Sequence, residues 1–154
     1  MQIGCLALFF LTCLRADSQG LNVTTIQNLS FGAFSQGSSG GTITVSTAGS
    51  RTASGTVVPL NLGIQYFQAI FEVEDSTGTI VSILNGPDAT LYGSNGGTMS
   101  LHLSNSDPVS PFISAVDPPQ TTAISIGGTL TVGNADVTPP GNYTGTFYLT
   151  FNNE

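Results

Sequence analysis

The side chains suited to chemistry are few and scattered. Gly37-Ser38-Ser39-Gly40-Gly41 has the G-x-S-x-G spacing of a nucleophile elbow, and Asp88 and His102 follow in the Ser, Asp, His order of an acyl-transfer triad. That elbow strains its serine between a strand and a helix, whereas Thr42-Ile43-Thr44-Val45 alternates as a strand. Ser39 is therefore read as part of a flexible Gly/Ser turn. His102 is the single histidine and falls on the polar parity of its strand, as a solvated or hydrogen-bonded imidazole does. A zinc site needs three or four His, Cys or carboxylate ligands, and His102 has no His or Cys companion. Glu72, Glu74 and Asp75 form the densest acidic group. Glu72 and Glu74 share a strand face and could flank Ca²⁺, but no D-x-D-x-D-G loop accompanies them, so a solvated face is expected. Paired carboxylates also serve glycosidases, yet the chain has no Trp and no obvious sugar cleft. The absence of Lys removes P-loop chemistry and Lys-based isopeptide cross-links. No convergent set of nucleophile, base and metal ligands emerges, so no enzyme activity, cofactor or metal is expected.

The elements that would carry these residues follow from composition. The chain has 154 residues, a formal net charge of -7, and only Arg15 and Arg51 as cations besides its terminus. Nucleic acid and anionic lipid surfaces both need several Lys or Arg, and are disfavoured as partners. With 7% charged and 40% hydrophobic residues, the chain is expected to fold as one β-rich domain with a surface of Ser, Thr, Asn and Gln. Residues 1–18 have the pattern of a secretory signal: Ile3 to Leu14 is apolar but too short to span a bilayer, and Ala16-Asp17-Ser18 permits cleavage before Gln19. The n-region is poor in charge, so the start lies upstream or the signal is atypical. Both cysteines, Cys5 and Cys13, lie inside it, leaving the domain at 19–154 without a thiol or disulfide. No membrane insertion is expected after cleavage. Three N-x-[ST] sequons, at Asn22, Asn28 and Asn142, matter only in a cell that glycosylates exported proteins.

Gly and Ser-Gly turns separate short β-branched or aromatic runs, and no window has a helical period. Strands are expected at Leu21 to Ile26, Leu29 to Phe31, Thr42 to Thr47, Thr56 to Leu60 and Phe67 to Glu74. Thr79 to Leu84 and Ala89 to Tyr92 are expected to pair. Met99, Leu101 and Leu103 share a face opposite Ser100, His102 and Ser104. Ile124 and Ile126, then Leu130 and Val132, flank Gly127-Gly128, read as a bulge or bend. Asp107 to Gln120 holds four prolines and is the expected long loop. From Tyr143 to Phe151 the residues Tyr143, Phe147, Leu149 and Phe151 share one parity and Thr144, Thr146, Tyr148 and Thr150 the other, the signature of an amphipathic final strand. The expectation is an all-β, antiparallel immunoglobulin-like sandwich of eight or nine strands.

Six segments in order carry a resemblance: Leu29-Ser30-Phe31-Gly32, Gly40 to Val45, Arg51 to Gly55, Gly97 to Leu101, Ile126 to Gly133 with its G-G-T-L-T-V-G, and Gly141-Asn142-Tyr143-Thr144-Gly145-Thr146-Phe147. Together they resemble a domain-of-unknown-function family of secreted bacterial proteins, family 4402, which is pilin-like. Its ending is similar to that of chaperone–usher fimbrial subunits and spore-coat-U-type proteins. The resemblance implies an incomplete sandwich whose groove a neighbour's strand fills by β-augmentation. It places the assembly edge at Tyr143, Phe147, Leu149 and Phe151, with Leu21 and Val23 as the candidate partner strand. Two departures stand out. Asn153 occupies the place of the usual penultimate aromatic, and only Gln19 and Gly20 precede Leu21, so no separate donor tail is expected.

The functional expectation is a non-enzymatic, secreted cell-envelope protein of the bacterial periplasm or outer surface. It is read as a fimbrial, pilin-like structural subunit, in a self-completed or strand-accepting form. Its partners would be identical or related subunits and a periplasmic chaperone. The alternative is a monomeric adhesin or carbohydrate-binding module that uses Tyr92 to Gly97 and Pro108 to Gln120, with Phe112 as the loop aromatic.

Overall fold

The computed structural model describes residues 20–154; the expected signal segment, with Cys5 and Cys13, lies outside the described residues. In chain order the strands are β1 (Asn22–Gln27), β2 (Ser30–Phe31), β3 (Phe34–Ser35), β4 (Gly41–Val45), β5 (Arg51–Gly55), β6 (Val58–Pro59), β7 (Tyr66–Phe67) and β8 (Ala69–Glu74). They continue as β9 (Ile80–Asn85), β10 (Ala89–Gly93), β11 (Thr98–Asp107), β12 (Phe112–Ile113), β13 (Thr122–Val132), β14 (Tyr143–Thr144) and β15 (Leu149–Asn153). Nine of these have five or more residues, in line with the eight or nine expected, and six are two-residue ladders.

Period-two alternation decides which side of each strand is dry. Ala69, Phe71 and Val73 of β8 are buried while Ile70, Glu72 and Glu74 are half-exposed. Met99, Leu101 and Leu103 of β11 are buried and Ser100 and His102 exposed. The large sheet runs β1-β8-β13-β11-β10-β14, with β4 and β5 as a side ribbon, and every ladder is antiparallel. The first half of β13 lies beside β8, and its second half, on that same side, lies beside β4. This handover curls the sheet into a half-barrel. A small sheet, β12-β9-β15, covers it, giving an all-β, sandwich-like fold. Ile43, Val45, Ala69, Val81, Ile124 and Ile126 are completely buried between them.

The structure corrects several strand expectations. Gly127-Gly128 does not break β13; Ile124, Ile126, Leu130 and Val132 stay on one buried face. A Cβ at Gly127 would lie 2.2 Å from the Val45 carbonyl oxygen, so glycine lets β4 approach. The extra residue sits across the ladder in β11, between Leu103 and Ser106, where Ser104 Oγ accepts the Gly127 N–H at 3.1 Å. The strand expected at Thr56 to Leu60 is replaced by β5 and β6, because Gly55, at φ 68°, turns the chain and Thr56 N–H bonds back to Gly40. β9 and β10 do not pair. The Asn85 side chain reaches the Leu103 and Ser104 carbonyls in the large sheet, and the chain crosses between sheets there. The expected loop from Asp107 to Gln120 contains β12, whose Phe112 is half-buried against the core.

Arg51 has a structural role that composition does not reveal. Phe34 pairs with Pro59 and Phe31 with Tyr66, so three steps on one strand span seven on the other. The surplus residues must loop outward around Gly63, at φ 77°. Arg51 fills the space beneath. Its guanidinium donates to the carbonyls of Phe31 (2.9 Å), Ala33 (3.0 Å) and Leu60 (3.3 Å) and lies 4.4 Å from the Tyr66 ring centroid. Replacing it strands several partly buried carbonyls at once. In urea unfolding, Arg51→Ala is expected to lose about 2–4 kcal/mol, and Arg51→Lys to recover only part, because an ammonium cannot fork to three carbonyls while stacking.

Candidate functional site

The segment from Tyr143 to Phe151 keeps the expected face but is not one strand. Tyr143 and Thr144 pair with Gly93 and Tyr92 in the large sheet, and Tyr143 Oη donates to the Pro139 carbonyl at 2.7 Å. Gly145 lies so close to β10 that a Cβ would come 2.6 Å from the Thr90 carbonyl oxygen. The chain then leaves the large sheet and re-enters as β15 beside β9. Tyr143, Phe147, Leu149 and Phe151 all still point inward, because both sheets share one interior. Each is only half-buried.

The hydrogen-bonding sense of β15 fixes which of its groups are free. Ile80 and Glu154 exchange both N–H···O bonds, at 3.1 and 2.9 Å, and Gly86 N–H bonds to the Tyr148 carbonyl. In an antiparallel ladder such pairs alternate, so Thr150 and Asn152 also turn their backbone groups towards β9. The N–H and C=O groups of Leu149, Phe151 and Asn153 then point the other way, along an edge with no partner strand among the described residues. The edge has no Pro, charge or bulge within β15 to block it.

Leu21 and Val23 do not pair with this edge. β1 instead pairs with β8, Val23 opposite Val73, and forms the outer edge of the large sheet. The two free edges face one another across an open seam of about 330 Å³ lined by Val23, Thr25, Phe71, Phe147, Leu149 and Phe151. Phe71 of β8 and Phe151 of β15 meet at its floor, 5.8 Å between centroids and tilted by 56°. The N-terminal strand is thus used within its own sheet, and the seam beside the final strand remains unfilled among the described residues.

Asn153, the departure from an aromatic, latches the end of the seam. Its Nδ2 donates to Asp75 Oδ2 at 3.1 Å, while Ser76 N–H donates to Oδ1 at 2.8 Å. Asp75 is 3% exposed. The amide thus ties the small sheet to the turn after β8. The sequence signal was only negative, a missing aromatic; nothing local pairs residues 78 positions apart.

The other candidates are dispersed. His102 Nδ1 does meet Asp88 Oδ1, at 2.7 Å, as an exposed surface pair. Ser39 lies in the turn before β4, its N–H on Thr56 Oγ1. His102 is opposite Thr129, and Thr129 opposite Thr44, so about two strand spacings of ~4.8 Å already separate the β4 line from His102. Glu72 and Glu74 share the outer face of β8, and Asp75 turns inward to Asn153. Among the described residues no three His, Cys, Asp or Glu side chains cluster as metal ligands. Phe112 faces the core rather than offering a platform for a sugar, whereas Tyr92 is exposed at the β10 edge.

The family described as Domain of unknown function (DUF4402) matches residues 21–152, and the chain belongs to it. No curated protein and no solved structure matches the chain.

The Asn153–Asp75 latch leads to a stability prediction. Asn153→Ala leaves a nearly buried carboxylate oxygen without its side-chain donor and is expected to cost about 1–3 kcal/mol in urea unfolding. His102→Ala, at an exposed pair, is expected to change stability by less than about 1 kcal/mol in that assay.

Proposed function

We propose that this family member is a non-enzymatic structural subunit of the bacterial cell envelope, exported to the periplasm or outer surface, that joins identical or related subunits through strand pairing at β15. The observation that carries the reading is the unpaired edge of β15 above an apolar seam. An incoming extended segment would exchange backbone hydrogen bonds with Leu149, Phe151 and Asn153. Its alternate side chains would enter the seam over Phe71 and Val23, covering apolar surface that the isolated chain leaves half-wet. A periplasmic chaperone would be the natural transient occupant, since a bare edge invites aggregation. The adhesin or carbohydrate-binding alternative draws no support from Phe112, which lies against the core.

Leu149→Pro separates this role from folding. Proline at 149 removes an outward N–H and blocks the edge, but removes no bond from the β9 ladder. The variant is expected to keep a cooperative unfolding transition while losing assembly in size exclusion and electron microscopy, and losing retention by a co-expressed chaperone. Wild-type protein that stays monomeric and binds no chaperone, or a Leu149→Pro variant that assembles normally, would contradict the reading.

A further inference from the structure

The chain holds two Asn-Gly dipeptides, Asn85-Gly86 and Asn95-Gly96. Such a dipeptide carries its own chemistry. The backbone nitrogen after an asparagine can attack the side-chain amide carbon, and a glycine there has no Cβ to obstruct the approach. The fold sets the two sites differently. Asn85 ends β9. Its Nδ2 donates to the carbonyls of Leu103 (3.4 Å) and Ser104 (3.0 Å), and Gly86 N–H donates to the Tyr148 carbonyl at 2.9 Å. A Cβ at Gly86 would also lie 2.9 Å from that oxygen, so this peptide is pressed against the chain entering β15. Freeing its nitrogen means opening the end of the β9–β15 ladder. Asn95 instead sits at the tip between β10 and β11, and both Asn95 and Gly96 are exposed. Gly96 N–H closes a single turn, onto the Gly93 carbonyl at 3.1 Å, and a Cβ at Gly96 would meet nothing within 4 Å. A local opening of the tip is enough to free this nitrogen, and there is room for a ring beside it.

We propose that Asn95 is a self-modification site, converted to aspartyl and isoaspartyl forms while Asn85 is preserved. Gly96 N bonds to Asn95 Cγ, and Nδ2 takes up the Gly96 amide proton and leaves as ammonia. Water then opens the cyclic imide. Attack at Cγ gives aspartate on an ordinary backbone; attack at the backbone carbonyl carbon leaves the chain running through the side chain, as isoaspartate. Water enters, ammonia leaves, nothing is oxidised or reduced, and a negative charge is added. The site matters because of what Asn95 holds. Asn95 Nδ2 donates to the Pro140 carbonyl at 2.7 Å, Ser94 N–H to the Asn142 carbonyl at 2.9 Å, Asn142 N–H to Ser94 Oγ at 3.1 Å, and Tyr143 Oη to the Gly96 carbonyl at 3.3 Å. The tip thus clamps the approach to β14, which pairs with β10 only at Tyr143 and Thr144. A carboxylate at 95 accepts hydrogen bonds and donates none, so it repels the Pro140 carbonyl it replaces a bond to. An isoaspartyl link also lengthens the tip backbone. Conversion therefore loosens the clamp where the chain leaves the large sheet, independently of what meets the edge of β15.

The test is to age the purified protein in warm, mildly alkaline buffer, folded and in urea, and to follow both sites by peptide mass spectrometry. The readouts are the mass gain of O for NH and labelling by an isoaspartyl methyltransferase. In the folded protein Asn95 is expected to convert about tenfold or more faster than Asn85, whereas in urea the two rates converge. Asn95→Gln, whose longer side chain closes the ring far more slowly, is expected to stop the growth of acidic charge variants in the folded protein. The loosened clamp is read by amide exchange at Ser94, expected to be about tenfold faster in Asn95→Asp and in aged wild type than in fresh wild type. Equal conversion of Asn85 and Asn95 in the folded protein, or conversion of neither, would overturn the assignment. An Asn95 that leads by the same factor in urea would show that the fold does not select it, and would overturn it too. Unchanged exchange at Ser94 in both Asn95→Asp and the aged protein would overturn the loosening.

Discussion

A β-strand has two hydrogen-bonding sides, and among the described residues β15 uses one. Its ladder with β9 consumes the backbone groups of Tyr148, Thr150, Asn152 and Glu154 and leaves those of Leu149, Phe151 and Asn153 at an open edge. The rest of the arrangement depends on that asymmetry. Because β15 belongs to the small sheet, the chain must leave the large sheet after Thr144, and Gly145 permits the close passage beside β10. Because β1 closes the other edge against β8, nothing in the described chain crosses the seam to meet β15. The Phe71–Phe151 contact and the Asn153–Asp75 hydrogen bond hold the sheets together while leaving the slot accessible.

Among the described residues the side chains suited to chemistry lie apart from one another. The Asp88–His102 pair is exposed, Ser39 sits in the turn before β4 with its N–H on Thr56, and the acidic residues of β8 and its following turn split between the outer face and the latch at Asp75. A chain with one Arg among its described residues spends that cation on three carbonyls and an aromatic ring. Its purpose there is to support a loop that projects apolar side chains.

Much of this was legible in the sequence, and the limits have physical causes. Local alternation identifies the dry face of a strand, so Met99, Leu101 and Leu103 of β11, the faces of β8, and the inward set Tyr143, Phe147, Leu149 and Phe151 were all readable. Alternation does not say which sheet a strand joins, because the two sheets of a sandwich share an interior. Hence the expected pairing of β9 with β10, and the unbroken final strand, could not survive a chain that crosses between sheets at Asn85 and again after Thr144. The bulge was sought at Gly127-Gly128 and found across the ladder at Ser104, since glycine signals close approach as readily as a bend. Long-range polar contacts left no local trace: neither Asn153 on Asp75 nor Arg51 under Leu60 and Tyr66 follows from spacing.

The central claim is that β15 is hydrogen-bonded on one side only. Residue-resolved amide hydrogen exchange on the dilute monomer tests it directly. The account predicts alternation: protected amides at Thr150 and Asn152, and little protection at Leu149, Phe151 and Asn153. Uniform protection along β15 would mean that its outer edge is already covered by the chain itself, and would contradict the account.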